Sequence, residues 1–318
     1  MKSGYEALRA VFDAITLDNL TTRREIADKV GLSVVSVSKA VSELIDAGLI
    51  ISDGCVSTGG RRSGSLSPAY LAKYLIVDLC SKPFSYTFAY LGESISAKGT
   101  ATSVRYLPYL RDLDFAENVS LLVNKIAPQC GAVTYAAVAL PEPSEYPEDF
   151  LGDDIISIFT RRGIAVKTAV SKTDAVVASP SVLSSPSPLL YVSISDRVSA
   201  IYVGRSVIVL NWDSVNIDGL KFSDILKCAQ SPEGLAAKTE KLLRSASEIL
   251  GAKTVLLDTY ELPAETVDIL LGRMDNVEDV TFASPVHEGL SRLLAEKLIS
   301  EIPSAHMAKQ KAQTSEEI

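Results

Sequence analysis

Lys39 stands among Val35, Ser36 and Ser42 in the segment VVSVSKAVSELID, and this mixture of side chains suits contact with duplex DNA. An ammonium group reaches phosphate oxygens. Serine hydroxyls donate and accept at short range, and a small apolar side chain permits close approach to base edges. Two further pairs of cations flank the segment, Arg23 and Arg24 before it and Arg61 and Arg62 after it.

The elements that must position these groups read as a helix-turn-helix from Thr21 to Ile51. Thr22-Arg23-Arg24-Glu25 forms a capping box, in which the Thr22 hydroxyl and the Glu25 carboxylate each satisfy the other residue's amide. Ile26, Ala27 and Val30 give one apolar face. Gly31 falls where the first helix of the motif must stop, a position that tolerates positive φ. Ser33 can cap the next helix. Val37, Val41, Leu44 and Ile45 then follow at i, i+4, i+7 and i+8, which makes one core-facing stripe. The opposite face carries Val35, Ser36, Lys39 and Ser42. An earlier helix over 5–15 is expected from Leu8, Val11, Phe12 and Ile15. A strand over 49–56 and a return near 64–67 would make a wing. The loop between them, Ser57-Thr58-Gly59-Gly60-Arg61-Arg62-Ser63-Gly64, suits insertion along a phosphate backbone or into a minor groove. The expected DNA contacts are therefore Arg23, Arg24, Ser33, Val35, Ser36, Lys39, Ser42, Arg61 and Arg62, with Val35, Ser36 and Lys39 at the major groove. The plainer alternatives are a solvated helix face for Arg23 and Arg24 and a solvated linker for Arg61 and Arg62. An ordinary helical hairpin is disfavoured by the short turn, the polar face and the strand that follows.

Charge narrows the kind of binding. The chain of 318 residues has a net charge of −8, yet its first 72 residues carry eight basic and eight acidic groups. The remaining 23 basic and 31 acidic residues hold the whole excess. An acidic body repels DNA, so binding must rest on a few placed contacts. Hydrophobic content of 47% and charged content of 22% mark a folded chain long enough for two or three domains. No run of about 18 apolar residues appears, and the N-terminus lacks a signal-peptide core, so a cytoplasmic protein with no membrane partner is expected. Cys55, Cys80, Cys130 and Cys228 are scattered and read as reduced thiols, and His287 and His306 lie outside any zinc-site spacing. No metal or cofactor is expected.

Beyond Pro68 the pattern changes to short apolar runs alternating with helical periods. Strands are expected over 75–79, 85–91, 94–101 and 132–140, with a helix over 115–127. A helix over 154–162 and a strand over 165–170 follow. Strands over 189–194, 200–203 and 206–210 form a second set, then helix 232–250, strand 253–257, helix 263–274, strand 277–283 and helix 286–302. Two similar halves of this kind indicate a two-lobed α/β body. The expected division is 1–67 winged helix-turn-helix, 68–175 first lobe, 176–302 second lobe and 303–318 a polar, disordered tail.

The chain resembles the ROK family of sugar kinases and sugar-responsive repressors. The resemblance lies in GLSVVSVSKAVSELIDAGLI, then STGGRRSGSLSP, then YLIVDL, and it extends over nearly the whole length. It implies an actin-like, ribonuclease-H-like body after the winged helix. It also implies positions for phosphate, sugar and zinc, and here the sequence departs. Asp78 is retained, but Leu79-Cys80-Ser81-Lys82-Pro83 follows without glycine. The Pro-Gly-Pro turn is Pro141-Glu142-Pro143. The second phosphate loop is Ser195-Asp196-Arg197-Val198-Ser199. From Asn211 to Leu235 only Cys228 remains of a His and three Cys that bind zinc. Cradling a phosphate needs closely approaching backbone amides, which favours glycine. The family's catalytic Asp corresponds to Asp174 in Lys172-Thr173-Asp174-Ala175, where a helix cap is the plainer role.

The expected function is a sequence-specific transcriptional regulator acting on a double-stranded DNA operator. It would be a homodimer with a catalytically inactive kinase-like body. Two alternatives stay open: an ATP-dependent sugar kinase, and a repressor that still binds a sugar or sugar phosphate as effector without catalysis.

Overall fold

The computed structural model describes residues 4–16, 18–56, 63–68, 73–90, 104–130, 135–141, 152–194, 198–211, 216–217, 220–221, 231–259, 262–279 and 284–316. The chain opens with three helices, α1 (Gly4–Thr16), α2 (Arg23–Val30) and α3 (Val34–Asp46). They bury Leu8, Val11, Phe12 and Ile15 from α1, Ile26 and Ala27 from α2, and Val37, Ala40, Val41 and Leu44 from α3. An antiparallel hairpin follows, β1 (Ile50–Val56) with β2 (Ser63–Pro68), its register shifted between Asp53 and Cys55. The Leu66 amide of β2 donates to the Thr21 carbonyl at 2.9 Å, which pins the hairpin against the start of α2.

The next elements are β3 (Lys73–Asp78), β4 (Phe84–Tyr90), β5 (Arg105–Leu107), α4 (Phe115–Cys130), β6 (Tyr135–Leu140), α5 (Gly152–Thr160), β7 (Ala165–Ser171), α6 (Lys172–Ala178) and α7 (Pro180–Ser184). A second series runs through β8 (Leu189–Ile194), β9 (Val198–Val203), β10 (Val207–Asn211), the small pair β11 (Asn216–Ile217) and β12 (Leu220–Lys221), α8 (Pro232–Leu250), β13 (Thr254–Asp258), α9 (Ala264–Arg273), β14 (Val277–Asp279) and α10 (Pro285–Glu316). The two large sheets have orders β5-β4-β3-β6-β7 and β10-β9-β8-β13-β14. In each, a three-stranded antiparallel meander is extended by two parallel strands. The internal repetition expected from the sequence is thus a repetition of topology.

Side-chain alternation explains how the two sheets share a core. Along β3, Leu75 and Val77 enter a cluster with α4 and α5, while Tyr74 and Ile76 face the other way. Along β8, Leu190 and Val192 pack with α8 and α9, while Leu189 and Tyr191 face the other way. Central strands buried on both faces read as continuous apolar runs for this reason. The inward sets meet α6, α7 and α10 in one cluster, and that cluster also contains the core of α1, α2, α3 and Leu66. The N-terminal helices are therefore packed on the body through a continuous apolar core.

Several expectations change. Segment 94–101 lies outside the described residues, and the edge position beside β4 is taken by β5. The helix start read at Asp174 is that of α6, whereas α7 and the β11–β12 pair were not anticipated. The closing helix does not stop at Ile302 but continues to Glu316, so the polar tail expected from 303 is helical. Ala, Lys, Gln and Glu favour helix whatever their polarity. Pro303, which removes one interior hydrogen bond, falls within the helix without ending it.

Candidate nucleic-acid interface

The helix-turn-helix is built by local hydrogen bonds. Thr22 Oγ1 accepts from the Glu25 amide at 3.3 Å, and the Thr22 amide donates to Glu25 Oε2 at 3.1 Å. Gly31 closes α2 with φ of 69° and its amide on the Ala27 carbonyl. Ser33 Oγ accepts from the Ser36 amide at 3.1 Å and caps α3, and the two serine hydroxyls lie 2.9 Å apart. Gly48 turns the chain toward β1 with φ of 71°. A β-branched side chain would be strained at either glycine.

The apolar stripe of α3 is buried, which leaves the opposite face to solvent. Ser33, Val35, Ser36, Lys39 and Ser42 are all exposed, and Val35 most markedly among the large apolar residues of this helix at 80%. Val34, which sequence reasoning passed over, is also exposed at 49%. Lys39 Nζ stands 4.0 Å from Glu43 Oε1, with its side chain 82% exposed. So loose a pair costs little to open toward a phosphate. Arg23, at the first position of α2, is half-buried, and Arg24 is exposed. Arg61 and Arg62 lie outside the described residues. They belong to the 57–62 connection that joins the paired ends Val56 and Ser63 of the hairpin.

The body uses its polar groups internally. Asp78, 4% exposed, accepts from the Cys80 amide at 2.8 Å and from Ser81 Oγ at 3.2 Å. Lys172 Nζ reaches Ser81 Oγ at 3.2 Å. Asp174 closes a cap on α6: its amide donates to Ser171 Oγ at 3.1 Å, and that hydroxyl donates to Asp174 Oδ2 at 3.0 Å. Tyr191 donates to Asp258 Oδ2 at 3.3 Å, and its phenol is held well above its usual range by burial, then by Asp258 and Asp78. Cys130 is buried and Cys80 half-buried. Among the described residues no group of three His, Cys, Asp or Glu is placed to hold a metal.

His287 is buried beneath β4, with Nε2 3.4 Å from Ser85 Oγ and Nδ1 without a hydrogen-bond partner. Burial pushes its imidazole below the ordinary 6.5, against the opposing pull of Asp78 and a bond to Ser85. The unfolded chain then takes up a proton below about pH 6.5 that the folded chain refuses. Stability is complete above that pH and falls as the pH drops toward the folded value, by up to about 1.4 kcal/mol per pH unit for one proton. His287→Leu should flatten this slope in urea unfolding measured between pH 7 and pH 5.5. An unchanged slope would assign the effect to other groups.

The winged helix is tied to the body by charge as well as by packing. Arg9 of α1 and Arg292 of α10 both bond Glu296, and Arg9 also lies 3.6 Å from Asp13. These groups, with Phe12, Pro180, Ala295 and Ile299, line a cavity of about 90 Å³ between α1 and the body.

Residues 7–51 match a family model described as winged helix-turn-helix DNA-binding. No curated protein sequence matches the chain. Among solved structures, a ROK family transcriptional regulator, a homolog of the E. coli MLC protein, shares 12% identity and a TM-score of 0.56, covering 94% of this chain and 98% of its own. The ROK family glucokinase from Streptomyces griseus, in complex with glucose and AMPPNP, gives 8% identity and a TM-score of 0.46 over 70% of this chain and 99% of its own. The ethanolamine utilization protein EutJ from Carboxydothermus hydrogenoformans gives 13% and 0.40 over 71% and 89%. The chain thus carries a winged helix-turn-helix of the DNA-binding kind. It is followed by mixed α/β sheets with the fold of that regulator. No helix among the described residues is long and apolar enough to cross a membrane.

Proposed function

We propose that this chain is a sequence-specific DNA-binding transcriptional regulator, with a kinase-like body that does not phosphorylate sugars and serves dimerisation. The observation that carries the reading is the exposed face of α3, held rigidly by caps at one end and by a buried stripe behind it. Val35, Ser36 and Lys39 would enter the major groove with Ser42 on the same face, Ser33 would set the helix start, Arg23 and Arg24 would contact phosphates, and Arg61 and Arg62 would contact the backbone or the minor groove. A dimer through the body would hold two such readers at a fixed half-site spacing. The engagement of Asp78 and Asp174 by their own turns supports a body without turnover. Turnover of a sugar with ATP, abolished by Asp174→Asn, would overturn that part.

DNA binding is tested by fluorescence anisotropy on a duplex enriched from a random pool by the full chain. One neutralised phosphate contributes about 0.9 to the slope of log K against log salt, hence about tenfold in affinity between ~1 M and ~0.1 M salt. Lys39→Ala should therefore weaken binding about tenfold at ~0.1 M salt. The double change Arg61→Ala with Arg62→Ala should weaken it about a hundredfold and reduce the slope by about 2. Unchanged binding in both variants would mean that another surface reads the DNA.

A further inference from the structure

The same face of α3 is poor in side chains that discriminate bases by paired hydrogen bonds. Its sequence, VVSVSKAVSELID, holds no Arg, Asn or Gln. Guanine is read bidentately in the major groove by Arg or Lys and adenine by Asn or Gln, so Lys39 is the one side chain of this face able to pair with a base edge in that way. The polar groups present are few and partly engaged. Ser36 Oγ lies against Ser33 Oγ at 2.9 Å and Lys39 rests near Glu43. Lys39 and Ser42 alone distinguish bases weakly, because a point charge and a rotating hydroxyl accept many geometries.

What the face does offer is an apolar tip. Val35 lies on the line of Lys39 and Ser42, at i+4 and i+7, so it occupies the middle of the exposed face rather than its edge. It sits in the first turn, the part of a recognition helix that contacts base edges. It is 80% exposed, and Val34 beside it is 49% exposed. A β-branched residue lowers helix propensity, and at this exposure Val35 returns little packing within the fold.

We infer that Val35 selects thymine, through contact of its methyl groups with the pyrimidine 5-methyl in the major groove. The inference rests on the DNA-reading function proposed above. It assigns base choice to an apolar contact and leaves Lys39 the role of anchoring the helix. Thymine is the one standard base that presents a methyl group there.

The test uses the full chain and duplexes of about 20 base pairs, two helical turns, enriched from a random pool. Each thymine of the enriched duplex is replaced in turn by deoxyuridine, which removes the methyl group and leaves the hydrogen-bonding edge intact. Covering one methyl group changes affinity about fourfold. At one thymine in each half-site, uracil should raise Kd about fourfold for the wild type. Val35→Ala should lose that discrimination while still binding the uracil duplex. Val35 is exposed and alanine is the better helix former, so the variant should keep or slightly raise the wild-type unfolding midpoint. A duplex enriched yet insensitive to uracil at every position would overturn the inference and leave the DNA-reading function standing. Discrimination that survives Val35→Ala would do the same. Failure to enrich any duplex would overturn both.

Discussion

Gly289→Ala should destabilise the protein by about 3 kcal/mol or more, although alanine is the better helix former by about 1 kcal/mol. A Cβ at position 289 would stand 1.6 Å from the Ala175 carbonyl oxygen and 2.6 Å from its carbon. Both are backbone atoms of α6, so no side-chain rotation relieves the overlap. The helices α6 and α10 would have to separate. Glu288, one residue earlier, accepts from Ser179 Oγ at 2.6 Å and from the Ser181 amide at 3.3 Å, and His287 lies beneath β4. Separation therefore disturbs α7 and the first sheet together. Gly272 supplies the control, because a Cβ there meets nothing within 4 Å. Gly272→Ala should be neutral or stabilising by up to about 1 kcal/mol. Urea midpoints of the two variants check this, and similar midpoints for both would refute the close contact.

Phe12→Ala should cost about 3 to 5 kcal/mol, and the loss should fall unevenly over the molecule. Phe12 is 1% exposed and belongs to the cluster that joins α1, α2 and α3 to Val286, Leu290, Leu294 and Leu298 of α10. It already borders the cavity shared with Ala295 and Ile299, so truncation enlarges an existing void at the junction. The ion pair that crosses the junction, Arg9 of α1 with Glu296 of α10, is part-exposed and worth about 1 kcal/mol or less. Hydrogen exchange should accelerate across residues 4–50, while β8 and β13 keep their protection. Uniform acceleration throughout the chain would show that the winged helix and the body open only as one unit.

The exposed face of α3 was legible from the chain because everything that shapes it is local. The Thr22–Glu25 box, the Gly31 turn and the Ser33 cap each act over three or four residues. The spacing of Val37, Val41 and Leu44 then dictates which side of α3 is left for Lys39 and Val35. Val34 escaped notice because it lies on the flank, where periodicity alone does not decide exposure. The two sheets were legible as apolar runs, since a strand buried on both faces leaves that mark. Their orders were not, because pairing partners such as β8 and β13 are separated by some sixty residues. The tail was misjudged for a related reason. Polarity shows that a segment has no face to bury, and helix propensity acts without one.

Short-range chemistry along the chain was therefore enough to specify a capped helix-turn-helix, its exposed residues and the repeated strand pattern behind it. Packing in three dimensions alone settled the rest. It places Arg9 against Glu296, 287 positions away, and joins the winged helix to α10 in one core. It also brings Gly289 against Ala175. Such contacts depend on shape complementarity between distant segments, and neither propensity nor periodicity carries information about that.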